Sequence, residues 1–293
     1  MSGLQALLDL QQSDGGWAYS TNSSWTEPTC YALLALRCAD GPRQAICLTS
    51  ICRAAEWLAR RQRRDGGWSP GQAVEQSTHV TSLAILALSA LDGYEDIAER
   101  GVGWLLAQAG AETSFWARVA RFAMGTQTSA TGHTGWPWFP GAAAWVTPTS
   151  LAILALLKQQ RGRYAPAIDA RVKDARSFLL SRRCPDQGWN HGGLFRAGET
   201  PSSYPETTGI ALLALAGTDN SEIQASIECG EKHALAPRSS EGDSWLRLGL
   251  SVHGRAPALS PGKYREWTVN QMALGMIVQS GKEGRSCFVD ASV

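Results

Sequence analysis

The apolar residues of this chain come in blocks that lack a polar face, separated by blocks that have one. The clearest of the first kind is Thr81-Ser82-Leu83-Ala84-Ile85-Leu86-Ala87-Leu88. It recurs as Thr29-Cys30-Tyr31-Ala32-Leu33-Leu34-Ala35-Leu36, as Thr149-Ser150-Leu151-Ala152-Ile153-Leu154-Ala155-Leu156 and as Thr208-Gly209-Ile210-Ala211-Leu212-Leu213-Ala214-Leu215. A worn copy is Asn270-Gln271-Met272-Ala273-Leu274-Gly275-Met276. A helix with no wet side is buried all round, so these blocks predict inner helices that the small residues let pack closely. The second kind is amphipathic. In Arg53–Gln62, Ala54, Trp57, Leu58 and Arg61 share one helical face, and Gly103–Gln108 and Ala175–Leu180 read alike. These predict outer helices with one wet face. No period-2 stretch competes, so the pattern predicts an all-α chain of paired helices stacked into a solenoid or a closed ring.

A second motif joins the two kinds of block. It reads Gln12-Ser13-Asp14-Gly15-Gly16-Trp17, then Gln62-Arg63-Arg64-Asp65-Gly66-Gly67-Trp68. Pro185-Asp186-Gln187-Gly188-Trp189 is a third version, and Gly132-His133-Thr134-Gly135-Trp136 a stretched one. Asp-Gly-Gly permits the positive φ that stops a helix and turns the chain. The Gln is expected to bind the last carbonyls of the outer helix, and the Trp to cover that end.

Aromatic-Leu-x3-Gln, Gly-Gly-Trp and Thr-x-x-Ala-Leu, taken together, resemble the QW repeat of squalene–hopene cyclases and other class II terpenoid cyclases. The same repeat fold occurs in protein prenyltransferase β subunits. The resemblance covers roughly residues 2–280. It implies an α/α barrel (toroid) of about five to six helical hairpins, with an inner ring around an apolar, aromatic-lined cavity. In that family the functional residues sit at the N-terminal ends of inner helices. The class II acid motif Asp-x-Asp-Asp lies there, and no copy here carries it; the chain has no Asp-Asp pair. Aligned copy by copy, the central acid falls on Glu27, His79, Thr147, Glu206 and Thr268.

Glu27 and Glu206 are therefore the candidate catalytic acids, with His79 to orient or exchange their proton. A carboxylic acid at the rim of an apolar cavity is expected to have its pKa raised by desolvation, which keeps it protonated as a general acid. The bland reading of the same two residues is helix capping. Trp25, Trp136, Trp138, Trp145, Tyr204 and Trp267 are the candidate substrate-binding residues, because aromatic π faces hold a carbocation. Trp136-Pro137-Trp138-Phe139-Pro140 lies in the longest connection, where residues 112–125 are expected to add a short helix. Acid-initiated cyclisation or isomerisation of a small apolar, isoprenoid-like substrate is the function that the resemblance implies. The alternative is a barrel that binds a lipid, prenyl group or peptide without turnover.

Composition narrows the field further. The repeats run through nearly all 293 residues, which predicts one domain over residues 1–293. Net charge is +1, and Arg60-Arg61-Gln62-Arg63-Arg64 reads as the solvated end of a helix, so nucleic acid is not an expected partner. No apolar run reaches the roughly 20 residues of a membrane span, although peripheral membrane contact stays open. The first twelve residues lack a signal-peptide pattern, and the seven Cys form no Cys-x-x-Cys pair. Both features predict a cytoplasmic protein with reduced thiols packed as small hydrophobes.

No cofactor is expected. Prenyltransferases bind zinc through an Asp-x-Cys and a His at inner helix ends; Cys30 and His79 alone do not complete such a set, so no metal site is predicted. Cys229-Gly230-Glu231-Lys232 has Lys where a thioester motif needs Gln. The segment from Trp245 to Ser251, followed by Arg265–Thr268, reads as a closing hairpin. Arg247, Arg255, Lys263 and Arg265 are either solvated or ligands of a diphosphate.

Overall fold

The computed structural model describes residues 3–20, 23–39, 42–71, 76–89, 91–111, 132–160, 165–192, 201–235, 239–255, 268–281 and 286–289. All of its regular elements are helices: α1 (Gly3–Asp9), α2 (Thr26–Arg37), α3 (Pro42–Arg61), α4 (Thr78–Ser89), α5 (Glu95–Leu106), α6 (Val146–Gln160), α7 (Pro166–Ser181), α8 (Pro205–Ala214), α9 (Asn220–Leu235), α10 (Ser240–Ser251) and α11 (Val269–Gln279). The five apolar blocks lie in α2, α4, α6, α8 and α11, as the pattern predicts. Every residue of α4 is buried, as is every residue of α2 from Pro28 to Leu36.

The inner helices close a ring in the order α2, α4, α6, α8, α10, α11 and back to α2. The sixth member, α10, is the segment that reads as a closing hairpin in the sequence. Its residues Trp245 to Leu250 are buried like those of its neighbours, although it carries Arg247 where the others carry an aliphatic residue. Arg247 is neither solvated nor exposed to a ligand: its guanidinium Nε donates to Asp243 at 2.7 Å, one turn back. Outer helices α3, α5, α7 and α9 pack on this ring, and α1 lies against α11. The amphipathic reading holds in α3, where Ala54, Trp57 and Leu58 are buried and Arg61 covers the Trp57 ring at 4.7 Å. The segment 112–125 and Trp267, Lys263 and Arg265 lie outside the described residues.

The Gly-Trp turn is a staple, repeated four times with the same bonds. The backbone N–H groups of Trp17, Trp68, Trp136 and Trp189 donate to the hydroxyls of Thr29, Thr81, Thr149 and Thr208, at 2.8 to 3.0 Å. Their indole N–H groups donate to Leu7, Leu58, Leu105 and Leu179 carbonyls at 2.7 to 2.8 Å. One residue thus caps the orphan carbonyls of an outer helix and anchors the first turn of the next inner helix. Of the Gln residues expected to cap, Gln12 donates to Leu10 O at 3.2 Å, one residue past α1, whereas Gln62 does not cap. Gln62, like Gln11, donates within its own turn, to Gly66 and Gly15 respectively, and across to Ile97 and Ser50 of the next outer helix. The indole reaches the helix end first, which leaves the amide to tie neighbouring outer helices together.

The turns need a left-handed residue, which is Gly15 (φ 100°) and Gly66 (φ 94°) in the first two copies. In the last copy it is Gln187 at φ 73°. Gln187→Gly is expected to stabilise the protein by about 0.5–1 kcal/mol, read as a rise in the urea midpoint at unchanged slope, because it removes the left-handed penalty.

The middle of the ring is filled with side chains. Tyr31 of α2 and Trp245 of α10, which are not neighbours in the ring, meet edge-on with centroids 6.3 Å apart. Phe288 packs on Trp245 at 5.5 Å, and all three are buried. The segment carrying Phe288 also brings the Cys287 and Cys38 sulfurs to 2.6 Å, and accepts a hydrogen bond from Lys158 at the Ser286 carbonyl. The apolar cavity that the family resemblance implies is thus occupied at this level by aromatic side chains. Six of the seven Cys are buried as expected, and Cys52 is exposed. No described helix is long and apolar enough to cross a membrane.

Candidate functional site at the N-terminal mouth of the ring

The inner helices all begin at one end of the barrel, and bonds between turns fix that end. The first N–H of α2 donates to Pro70 O (3.1 Å), that of α4 to Trp138 O (3.0 Å) and that of α6 to His191 O (3.1 Å). Each acceptor stands two residues after a staple Trp. Three of the four staple carbonyls in turn accept from the residue preceding an inner helix: Trp25 N–H to Trp17 O (2.8 Å), Trp145 N–H to Trp136 O (3.0 Å) and Tyr204 N–H to Trp189 O (2.8 Å). The mouth is therefore built from backbone bonds, and the side chains at these positions are free to vary.

Those side chains form an aromatic rim. Tyr19 lies 5.7 Å from Trp25, His79 lies 4.9 Å from Trp138, and His191 bridges Trp145 at 5.9 Å and Tyr204 at 5.2 Å, all centroid to centroid. Trp25, Trp138 and Trp145 are half-buried, and Tyr204 is 45% exposed. Four of the six aromatic candidates thus reach the mouth. Trp136 does not: it is the fully buried staple of the third turn, with the Arg171 guanidinium 3.5 Å over its ring. Burial pushes that guanidinium down to about 10. Tyr19 and His191 are rim residues that the sequence reading passes over; both stand two places after a staple Trp, which is the signal that would find them.

The second residue of each inner helix lies inside this rim. In chain order these are Glu27, His79, Thr147, Glu206, Glu241 and Asn270. Two departures from the sequence alignment appear. Thr268 is the N-cap of α11, bonded in a capping box to Gln271, so Asn270 takes the ring position. Glu241, which has no counterpart in the five recognised copies, joins from α10.

The carboxylates differ in state. Glu27 accepts from the Tyr19 hydroxyl at Oε2 and lies 3.2 Å from His79 Nε2 at Oε1. Burial alone would raise its pKa, but the His79 charge and hydrogen bond and the Tyr19 bond together hold it below the ordinary carboxylate value. The raised pKa expected at Glu27 is thus overturned by its two donors. Burial also pushes the Tyr19 phenol up, helped by the Glu27 charge. Glu206 accepts from Ser239 Oγ at 2.7 Å, beside the N-terminus of α10, where a negative charge complements the helix dipole.

Glu241 is the carboxyl whose pKa is raised. Burial is the largest cause, and the charges of Glu27 and Glu206 add to it against smaller opposition from His79 and a Trp245 hydrogen bond. The reasoning that led to Glu27 therefore holds for a residue two places round the ring. Its first turn, Ser240-Glu241-Gly242-Asp243, has no Thr-x-x-Ala-Leu to mark it in the sequence.

Among known proteins, no protein family matches the chain, and no curated protein matches it. Solved structures do. A protein from Actinoplanes aligns over 96% of this chain and 97% of its own, with 15% identity and a TM-score of 0.56. The apo type II terpene cyclase MstE from Scytonema aligns over 96% and 79%, with 14% identity and a TM-score of 0.56. The GH76 α-mannanase from Bacteroides thetaiotaomicron aligns over 97% and 95%, with 8% identity and a TM-score of 0.60.

The fold is an α/α barrel. A terpene cyclase and a mannanase share it, so the fold leaves the reaction to the residues at the mouth.

Proposed function

We propose that the mouth of this barrel is an acid–base site for carbocation chemistry on a small apolar alkene of the isoprenoid type. The observation that carries the reading is Glu241, a half-buried carboxyl whose pKa is raised by burial and by the charges of Glu27 and Glu206, at the same end of the barrel as the aromatic rim. Its proton adds to a terminal alkene carbon and leaves a tertiary cation on the neighbouring carbon. A second alkene of the same substrate closes on that cation, and loss of one proton ends the reaction. The Glu27–His79 pair is the nearest acceptor for that proton. Proton in and proton out balance, so the product is an isomer of the substrate. Trp25, Trp138, Trp145 and Tyr204 hold the cation through their π faces. The likeness to MstE supports the frame for such a site.

A second reading is favoured by Tyr31, Trp245 and Phe288, which fill the ring below the mouth. A barrel so packed holds only the end of an apolar ligand, and binding without turnover fits that shallow shape.

One experiment separates the two. The protein is incubated in D₂O with linear isoprenoids of increasing length, as alcohols and diphosphates, and the products are read by mass spectrometry. A cyclic or shifted-alkene isomer carrying one deuterium is the expected result. Binding of the same compounds, seen as quenched Trp fluorescence, with every substrate recovered unchanged establishes the second reading and overturns the first.

A further inference from the structure

We propose that Asp186, Cys229 and His233 form a metal site of the zinc type between the last Gly-Trp turn and the outer helix α9. One carboxylate oxygen of Asp186, Cys229 Sγ and one ring nitrogen of His233 all lie within 4.8 Å of one another. Cys229 and His233 stand one turn apart on α9, which puts both on one face. Asp186 comes from the last Gly-Trp turn.

The other turns show what ordinarily occupies this place. In the first, Asp14 accepts the Trp57 indole N–H at 2.9 Å, and Ser24 Oγ donates to the same carboxylate at 2.6 Å. In the second, Asp65 accepts the Trp104 indole N–H. Aligning the outer helices on their buried residues sets Ala54 and Ala55 of α3 with Gly101 and Val102 of α5 and with Ser226 and Ile227 of α9. Trp57 and Trp104 then correspond to Cys229. The last copy keeps the Asp and the Ser, as Asp186 and Ser203, and exchanges the indole for a thiol plus an imidazole one turn further on. An indole has been replaced by two metal-ligand types, beside a carboxylate that three of the four turns carry, as Asp14, Asp65 and Asp186.

The geometry suits a four-coordinate ion. Ser203 Oγ stands 2.9 Å from Asp186 Oδ2, 2.7 Å from His233 Nε2 and 3.5 Å from Cys229 Sγ. Neighbouring ligands of a tetrahedral zinc stand about 3.3–3.7 Å apart, given bonds of about 2.0–2.3 Å. At 2.9 and 2.7 Å, Ser203 Oγ is a hydrogen-bond partner that orients the carboxylate and the imidazole, and the fourth position of the ion is open to water. One carboxylate, one thiolate and one neutral imidazole balance the charge of a divalent ion, and the N/O/S mixture favours zinc over magnesium or calcium. A thiol binds zinc as the thiolate, so metal uptake releases a proton. The bound ion would pin α9 to the turn that carries Asp186, the task that an indole performs elsewhere.

The test is a titration of the full chain with Co²⁺, followed by absorbance, and with Zn²⁺, followed by thermal unfolding. The expected result is one equivalent bound, a thiolate-to-cobalt charge-transfer band in the near ultraviolet, and a melting temperature raised by Zn²⁺ and lowered again by a chelator. Cys229→Ser and His233→Gln are each expected to weaken binding at least about 100-fold. Cys229→Trp restores the residue used by the other turns, so it is expected to fold without metal and to show no band. Absence of the band from the unaltered protein, or its persistence in Cys229→Trp, overturns the proposal.

Discussion

Glu241→Gln is expected to lower turnover on a competent alkene about 10²–10⁴-fold, the range for loss of a general acid, while making the protein more stable at neutral pH. Both effects follow from one fact, that burial and the charges of Glu27 and Glu206 hold the folded-state pKa of Glu241 above 4.5. Between that value and the higher folded one, the native state carries a proton that the unfolded chain has lost. Stability therefore falls as pH rises through this window, and the full penalty is present above it. A neutral amide removes the penalty, so the variant's gain shows at pH 7 to 8 in urea unfolding and vanishes below about 4.5. Glu27→Gln supplies the opposite sign. Its folded pKa is lowered, so the carboxylate stabilises the native state above the unfolded pKa, and that stability is lost as pH falls through the folded value. The variant leaves Tyr19 and His79 without their anion and is expected to lose about 1–3 kcal/mol at neutral pH. Two carboxyls of one mouth with opposite stability profiles would identify Glu241 as the strained one. Equal losses from both would make them structural caps and take the acid out of the proposed mechanism.

Gly209→Ala is expected to destabilise the fold by about 3 kcal/mol or more, measured as a lowered urea midpoint. A Cβ at Gly209 would meet Leu246 N and Trp245 C at 2.4 Å, and one at Gly249 would meet Gly209 O at 2.2 Å. These contacts are backbone on backbone, so no rotamer change relieves them. Helices α8 and α10 cross at this pair of glycines with backbone against backbone. Any relief must separate the two helices, which carries Glu241 away from Glu206 and loosens Trp245 from Tyr31. The mouth should respond as well, with reduced turnover in whatever fraction remains folded. Gly249→Ala should act in the same way, whereas Gly103→Ala, with nothing within 4 Å of the new methyl at an exposed position of α5, should raise stability by about 0.5–1 kcal/mol.

Much of this was legible in the chain because the repeats repeat. Apolar blocks at Ala84 and Ala152 gave inner helices, and the Asp-Gly-Gly-Trp turns gave their connections. Glu27 and His79 were found because they stand a fixed distance before the marker Ala. What escaped had lost its marker. Helix α10 lacks the Ala/Leu block, since close crossing at Gly209 and Gly249 replaced small-residue packing by backbone contact. Glu241 was hidden with it. Thr268 was misplaced because its copy is worn, and a capping box there shifts the helix start by two residues. Trp136 looked like a rim aromatic because it stands beside Trp138, yet the staple it belongs to is built by indole and hydroxyl bonds that composition does not display. The ionisation of Glu27 depended on Tyr19, eight residues away and brought in by the turn. No local pattern encodes such a partner.

The backbone bonds that tie α2, α4 and α6 to a neighbouring turn have an evolutionary consequence. They fix where a second-position side chain points without using that side chain. Glu27, His79 and Thr147 are thus addresses on one frame, each able to accept a new residue while the barrel's own bonds stay intact. Reaction type can then drift by exchange at single addresses, with sequence identity falling far while the helices keep their order.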